Sequence, residues 1–394
     1  MNFFTKGGPP VHTHKLSLKN VTANEFQTAF ANIPNTADTL DLTNNDLGYK
    51  SIEELGLAFA KIPTSVTTLN LEYNHFHQRN GEELALIFAN IPTSVTVLNL
   101  YHNFLGQRGV GELKIAFAKI PKSVTSLNLG FNRLGRRTGQ ELAEIFASIP
   151  SSVTALDLSL NNLNFKSSNE LAAAFEKLPP FITSISLGFN HLSKKSGEEL
   201  AIIFASIPTS VTALDLSTNS LNEKSGAELA IAFAHIPTSI TTLDLSLNKL
   251  GQKSGEELVQ AFTSIPSSVT TLDLGSDWLD VLEKLSQQKI TLAMITHCVI
   301  TYSSAQDHAA QLKLLTMVFP NLNKVTFMDK GANVFANQNP VREANWLKLC
   351  GIKNSAPSLR NQALFFVGQN KNHDFIKNNL KYLPKELSIK LQNN

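Results

Sequence analysis

A curved α/β solenoid is the fold class the sequence predicts, with a concave parallel sheet, convex helices and a mainly helical C-terminal cap region. Three observations carry this. Proline recurs at 34, 63, 92, 121, 150, 179, 208, 237 and 266, every interval being 29 residues. Leu40, Leu69, Leu98, Leu127, Leu156, Ile185, Leu214, Leu243 and Leu272 keep the same interval, and a second leucine follows each two residues on, from Leu42 to Leu274. After each leucine pair, a charged cluster opens an apolar run, as in "KSGEELAIIFASIP" at 195–208. Such periodicity has to be recognised before length is converted into a domain count.

The elements follow in order. Residues 1–15 read as an N-terminal tail. A shorter unit begins at "LSLKN", where Leu16 and Leu18 stand 24 residues before Leu40 and Leu42, while Phe26 and Phe30 match Leu55 and Phe59 at 29. This unit reads as an N-terminal cap. In a full repeat, Val66, Leu69 and Leu71 lead into a short strand whose apolar residues alternate with polar ones, which buries one face. Asparagine then turns the chain at 45, 74, 103, 132, 161, 190, 219 and 248, with Asp277 at the ninth place. Leu55, Ala58, Phe59 and Ile62 keep helical spacing, and Pro63 stops the helix. Strands stack about 4.8 Å apart and helices about 8–10 Å apart, so the array must curve with its strands inside. No unit can bury its apolar side alone, so the stack folds as a quasi-linear array.

The charged cluster is architectural in this reading. Ser51, Asn80, Thr138, Ser167, Ser196, Ser225 and Ser254 each precede a glutamate by three residues, from Glu54 to Glu257. That is the S/T-x-x-E capping box, in which the cap oxygen and the glutamate satisfy each other's backbone N–H groups. Each cap contributes about 1 kcal/mol. Gly109 lacks the side-chain acceptor. A base precedes each cap (Lys50, Arg79, Arg108, Arg137, Lys166, Lys195, Lys224, Lys253). Each has an acid within one turn, unlike a phosphate-binding row. Lys195 is expected to be a solvated neighbour of its cap.

The pattern V/L-x-x-L-x-L-x-x-N-x-L, repeated without an indel over about 16–279, resembles the leucine-rich repeat, in its ribonuclease-inhibitor-like subclass. The resemblance implies a leucine-rich-repeat horseshoe in which stacked asparagine side chains form a buried ladder. The unit "IPTSVTxLDLSxNxLGxKSGEELAxxFA" is also similar to repeats of leucine-rich effectors that Legionella-type bacteria inject into host cells by the Dot/Icm type IV secretion system. That likeness implies a host-cytosolic protein acting on a host protein; without it the expected location is cytoplasmic.

Composition agrees with a non-enzymatic binding module. Hydrophobic residues make up 42% and charged residues 17% of 394, enough for a large core. A net charge of +2 indicates no nucleic-acid partner. Two cysteines, Cys298 and Cys350, exclude a disulfide scaffold. "MNFFTKGGPPVHTHK" lacks a secretory signal core, and no run of about 18 apolar residues offers a membrane span. Secretion without an N-terminal signal peptide is therefore the expected route if the protein is exported. A monomer is expected.

Recognition should use positions where the repeats disagree. The residue before the asparagine reads Asn44, Tyr73, His102, Phe131, Leu160, Phe189, Thr218, Leu247 and Ser276. With Glu72, Tyr101, Phe104 and Arg133 beside them, Tyr73, His102, Phe131, Leu160, Phe189 and Leu247 form the candidate partner-binding edge. Aromatic anchors dominate interface energetics; the competing reading is that these rings pack on their neighbours. The middle strand position (Asp41, Asn70, Asn99, Asn128, Asp157, Ser186, Asp215, Asp244, Asp273) makes a polar concave stripe, more acidic toward the C-terminal half.

Residues 16–286 read as the solenoid and 287–394 as degraded repeats with a helical cap. "KITLAMI" (289–295) reads as a strand and 303–318 as a helix with Ala309, Leu312, Leu315 and Phe319 inward. The segment "FPNLNKVTFMD" (319–329) repeats the proline-then-strand order, and helices follow near 341–349, 357–367 and 373–382. The alternative function is an enzyme, ubiquitin-ligase-like or other, with its chemistry in 287–394. The chain contains no H-E-x-x-H, G-x-S-x-G or G-x-x-x-x-G-K, and neither cysteine lies in a Cys-x-Asp motif. His297 and Cys298 are adjacent on a strand and should face opposite sides. His75, His77 and His102 lack a fourth ligand at a fixed offset. No cofactor, metal or catalytic residue is assigned.

Overall fold

The computed structural model describes residues 12–301 and 311–328. Most of the expected tail, Ala309, Cys350 and the helices expected beyond 340 lie outside the described residues. The chain divides into two compact units, one ending at Val269 and the other beginning at Thr270.

The first unit is a parallel strand–turn–helix array. Its strands are β1 (Thr13–Lys15), β2 (Thr39–Asp41), β3 (Thr68–Asn70), β4 (Val97–Asn99), β5 (Ser126–Asn128), β6 (Ala155–Asp157), β7 (Ser184–Ser186), β8 (Ala213–Asp215) and β9 (Thr242–Asp244). From β2 onward each strand pairs in parallel with the next at an offset of 29, as in Leu127↔Leu156. The helices are α1 (Ala23–Ala31), α2 (Ile52–Phe59), α3 (Gly81–Ala89), α4 (Val110–Phe117), α5 (Gly139–Ala147), α6 (Ser168–Phe175), α7 (Gly197–Ala205), α8 (Gly226–Phe233) and α9 (Gly255–Thr263). A single 3-10 turn, such as Leu47–Tyr49, joins each strand from β2 onward to its helix. Each repeat buries the same set, so that Val124, Leu127, Leu129, Leu134, Leu142, Phe146 and Ile149 line one layer. Threonine marks the strand entrance: Thr154 N–H donates to Thr125 O at 2.8 Å and its hydroxyl donates to the same oxygen at 3.2 Å.

The cap register differs from the expected 24. β1 pairs His14 with Leu40, an offset of 26, whereas Phe26 and Phe30 are buried beneath the next helix at the expected 29. The cap therefore drops three residues between strand and helix rather than the five expected, and its strand begins at Thr13.

Capping boxes open the helices as expected. At α7, Ser196 N–H donates to Glu199 Oε2 at 2.9 Å, and Glu199 N–H donates to Ser196 Oγ at 3.2 Å. At α4 only half of the box exists, with Gly109 N–H donating to Glu112 Oε2 at 2.8 Å. The glutamates also reach outside their own repeat. Glu170 Oε1 accepts from Gly139 N–H, the first residue of the preceding helix, at 2.8 Å, and Glu112 and Glu257 do the same for Gly81 and Gly226. The glycine is required there, because a Cβ on Gly139 would stand 2.4 Å from the Glu170 side chain.

The bases complete this staple. Arg137 Nε donates to Gly106 O at 2.7 Å and pairs with Glu141; Lys224 Nζ donates to Lys195 O at 2.9 Å and pairs with Glu228 at 2.7 Å. Arg79 and Lys253 donate likewise to the carbonyls of Lys50 and Lys224. The expectation of a solvated Lys195 is corrected: it is buried, with Nζ 3.6 Å from Glu199. A long cationic side chain can bury its stem while keeping a counter-charge at its head. The Lys224 bond and the Ser225 N–H hold the Glu228 carboxyl down to about 2, and Glu257 is held there in the same way by Lys253 and Ser254.

The second unit contains β10 (Thr271–Gly275), α10 (Trp278–Gln287), β11 (His297–Thr301), α11 (Lys313–Val318) and β12 (Lys324–Met328). Its strands are parallel, pairing Leu272 with Cys298 and Cys298 with Val325. The strand expected at 289–295 is corrected: the strand is "HCVIT", and "KITLAMI" is the turn before it. Ile295 N–H donates to Leu292 O at 3.2 Å, repeating the Val66-to-Pro63 bond of the full repeats. Leu292 and Ile295 thus take the proline and valine places, and Cys298 takes the leucine place. The strand at 324–328 lies within the expected segment, and Leu312, Leu315 and Phe319 are buried. Cys298 is fully buried, while His297 turns to the Thr326 hydroxyl at 2.9 Å. Burial, with Lys324 nearby, pushes the His297 imidazole down to about 4.

Candidate protein-docking surface

The repeat's turn is built on its asparagine. Asn161 Oδ1 accepts from the N–H groups of Asn132 (3.0 Å) and Leu134 (3.1 Å) of the preceding repeat. Its Nδ2 lies within 2.9–3.2 Å of the carbonyls of Leu129, Leu158 and Ser159. The same arrangement recurs from Asn74 to Asn219, so a fully satisfied amide ladder runs through the turns.

Clamping the asparagine forces both of its neighbours into the left-handed region. Tyr73 and His75 have φ of 57° and 59°, His102 and Phe104 56° and 55°, Phe131 and Arg133 53° and 60°, Leu160 56°, Phe189 55° and Leu247 57°. L-residues other than glycine, and to a lesser degree asparagine or aspartate, adopt this conformation at a cost of about 1–2 kcal/mol. Asn44 shows the inexpensive solution at φ 58°. Eight of the ten residues predicted from sequence variation occupy these strained positions, and Glu72 and Tyr101 immediately precede two of them.

The structure joins six of the ten into one surface. The His102 ring lies 4.1 Å from Tyr73, 4.7 Å from Phe104 and 4.0 Å from Phe131, centroid to centroid. Tyr101 reaches Phe131 at 5.8 Å, and the Arg133 guanidinium sits 4.2 Å over Phe104. Gly130 makes room for this, because a Cβ there would stand 2.8 Å from Tyr101 Cδ2. Leu160, Phe189 and Leu247 continue the edge at the same register, with Phe189 42% and Leu247 54% exposed. Among the described residues, the ring contacts of this edge stop at Phe131.

Sequence variation alone missed Tyr49, His75 and His77. The Tyr49 ring lies 5.8 Å from His75; His75 contacts Tyr73 and His77, and His77 contacts Phe104 at 5.3 Å. For His75 the signal was present in the column after the asparagine (His75, Phe104, Arg133, His191), which varies as much as the column before it, whereas Tyr49 and His77 lie four and three residues past their asparagines. The rings pack on one another, as the competing reading held, and still leave a half-buried outer face. Burial, with Arg133 and His75 nearby, holds His102 below its usual value; burial and His75 do the same for His77. Both imidazoles are therefore neutral at pH 7, and the patch keeps its apolar character.

The acidic stripe is corrected in depth. Asp157, Asp215 and Asp244 are buried, whereas Asp41, Asn70, Asn99 and Asn128 remain half-buried. Each carboxylate accepts the N–H two residues on: Ser159 to Asp157 and Ser217 to Asp215 at 2.8 Å, Ser246 to Asp244 at 2.9 Å. Burial, with Asp215 beyond the intervening Ser186, pushes the Asp157 carboxyl up to about 6. A folded-state value above the unfolded 3.8 means the folded protein binds the proton more tightly. The charge is thus neutral to stability below about pH 3.8 and costs most above pH 6. Asp157→Asn keeps the acceptor and should stabilise on the order of 2 kcal/mol at pH 8, with no gain at pH 3.5. Melting temperatures at the two pH values check this.

Parallel strands, an asparagine ladder and capped outer helices at a 29-residue period define a leucine-rich-repeat solenoid. The family described as Leucine Rich repeat matches residues 237–259. A crystal structure of the leucine-rich repeat-containing protein LegL7 from Legionella pneumophila is 34% identical in sequence, with a TM-score of 0.71, over 87% of this chain and 98% of that one. No curated protein matches. The chain belongs to the leucine-rich-repeat proteins, and the architecture together with this likeness supports a protein-interaction module.

Proposed function

We propose that the protein is a non-enzymatic binding module whose partner seats on the ring edge Tyr73–His102–Phe131, flanked by Glu72, Tyr101, Phe104 and Arg133 and extended by Leu160, Phe189 and Leu247. One observation carries the reading: bulky side chains are kept at left-handed positions where Asn44 shows that a small residue suffices. Backbone strain of this kind is retained where function requires it, and a contiguous half-exposed aromatic patch is what a protein partner buries. The test is quantitative capture of partner from host-cell lysate by the wild type and by the Tyr73→Asn/Phe131→Asn variant. Capture should fall at least about tenfold while the variant melts within a few degrees of the wild type. Equal capture by both proteins would remove the edge from consideration.

The likeness to a Legionella protein supports the finer reading of a type IV secreted effector, a monomer acting in host cytosol on a host protein. A fusion to a reporter enzyme active only in host cytosol tests it. Signal should appear with secretion-competent bacteria and vanish with a secretion-deficient strain.

A further inference from the structure

We infer that the partner segment seated on this face is basic, laying lysine or arginine side chains over the strand surface of β2–β9 while an apolar group meets the ring edge. The inference rests on the docking reading above and deepens it. Residues 38–44 and their seven equivalents, up to 241–247, contain Asp38, Asp41, Glu72, Asp157, Asp215 and Asp244 and no lysine or arginine. The repeat bases all sit on the helix side, and from Arg79 to Lys253 each is paired with its own glutamate. The charged residues of these strand segments are therefore all acidic although the net charge of the chain is only +2, with Arg133 as a base on the adjoining ring edge.

The fold does not require these acids. Asn70, Asn99 and Asn128 accept the same turn N–H, at 3.1, 2.9 and 2.8 Å, that Asp157, Asp215 and Asp244 accept in later repeats. Carboxylates there add desolvated negative charge without changing the turn bond, and Asp215 Oδ2 also accepts the Ser186 hydroxyl at 2.7 Å. Their field is felt across the face. Asp41 adds to the burial that raises Glu72, Asp215 adds to the burial that raises Asp157, and Glu72 and Asp157 together add to the burial that raises the Tyr101 phenol. A docked cation would relieve all three. The protein already shows the geometry: on β1, at the end of the array, Lys15 Nζ lies 3.2 Å from Asp41. Cations also favour aromatic faces, and Tyr101 stands between Glu72 and Asp157.

The test uses the full chain and a random peptide library displayed on phage. Enriched peptides should combine lysine or arginine with an aromatic or large aliphatic residue. The leading peptide, measured by fluorescence anisotropy, should bind at least about tenfold more weakly to Glu72→Gln/Asp157→Asn/Asp215→Asn, and should weaken steeply with salt. Enriched peptides without basic residues, or affinity indifferent to the triple variant, would overturn the inference. If that indifferent peptide is still lost on Tyr73→Asn/Phe131→Asn, the docking edge stands and only the basic partner is wrong. If the triple variant weakens the peptide and the ring variant does not, the basic partner stands and the edge is wrong. No enrichment at all contradicts both.

Discussion

Asn161→Ala should be among the most damaging single substitutions outside the apolar core. It orphans two N–H groups, of Asn132 and Leu134, and takes the amide from the Leu129 carbonyl, while the Leu158 and Ser159 carbonyls keep the Asn190 amide and the Phe131 N–H. Asn161 is fully buried, so water does not replace the amide. Each buried unsatisfied group costs about 1–3 kcal/mol. Partial relaxation brings the expected loss to roughly 3–5 kcal/mol rather than the full sum. Stacked repeats are coupled to their nearest neighbours, so a defect at the sixth strand should also divide the unfolding transition. Denaturant melts followed by circular dichroism should show a lowered midpoint and a broadened or two-step transition. Asn161→Asp keeps one acceptor and loses the donors, and should fall between the variant and the wild type.

Phe146→Ala should cost about 3–5 kcal/mol by a different route. Phe146 is fully buried on α5, and its ring stacks on Phe175 of the next repeat at 6.1 Å and 8°. Its equivalents, Phe117, Phe204 and Phe233, are buried to the same degree. Truncation leaves a cavity between two helices whose spacing is fixed by the Glu170-to-Gly139 bond, so the site cannot collapse inward. Phe146→Leu should recover more than half of the loss, as judged by equilibrium unfolding in urea.

What could be read from the sequence was whatever repeats within one unit. The leucine alternation, the asparagine, the capping serine and glutamate, and Phe59 with Ile62 recur often enough to define their own roles. Contacts between units were hidden, because spacing inside a repeat says nothing about a glutamate that reaches Gly139 from 31 residues away. Lys195 looked solvated for the same reason: its burial comes from neighbouring repeats and not from its own. Apolar content without register misled at "KITLAMI", where Leu292 and Ile295 serve as turn residues. The docking edge was legible as variation, since Tyr73, His102 and Phe131 differ where the repeats otherwise agree. Its strain was not, because left-handed backbone follows from the amide clamp on Asn74, Asn103 and Asn132. The depth of Asp157 and Asp215 was equally invisible to a pattern that marks the middle strand residue as outward.

Leu247→Asn and Phe189→Asn test the central claim, that edge residues are kept at the expense of stability. Both sit at positive φ, 57° and 55°, and both are substantially exposed. Asparagine tolerates that backbone better than either residue, and little packing is lost with the side chain. Unfolding free energies from urea melts should rise by about 0.5–1 kcal/mol for each variant. A fall of about 2 kcal/mol or more, the loss expected of a core residue, would show that the edge is part of the fold and contradict the account.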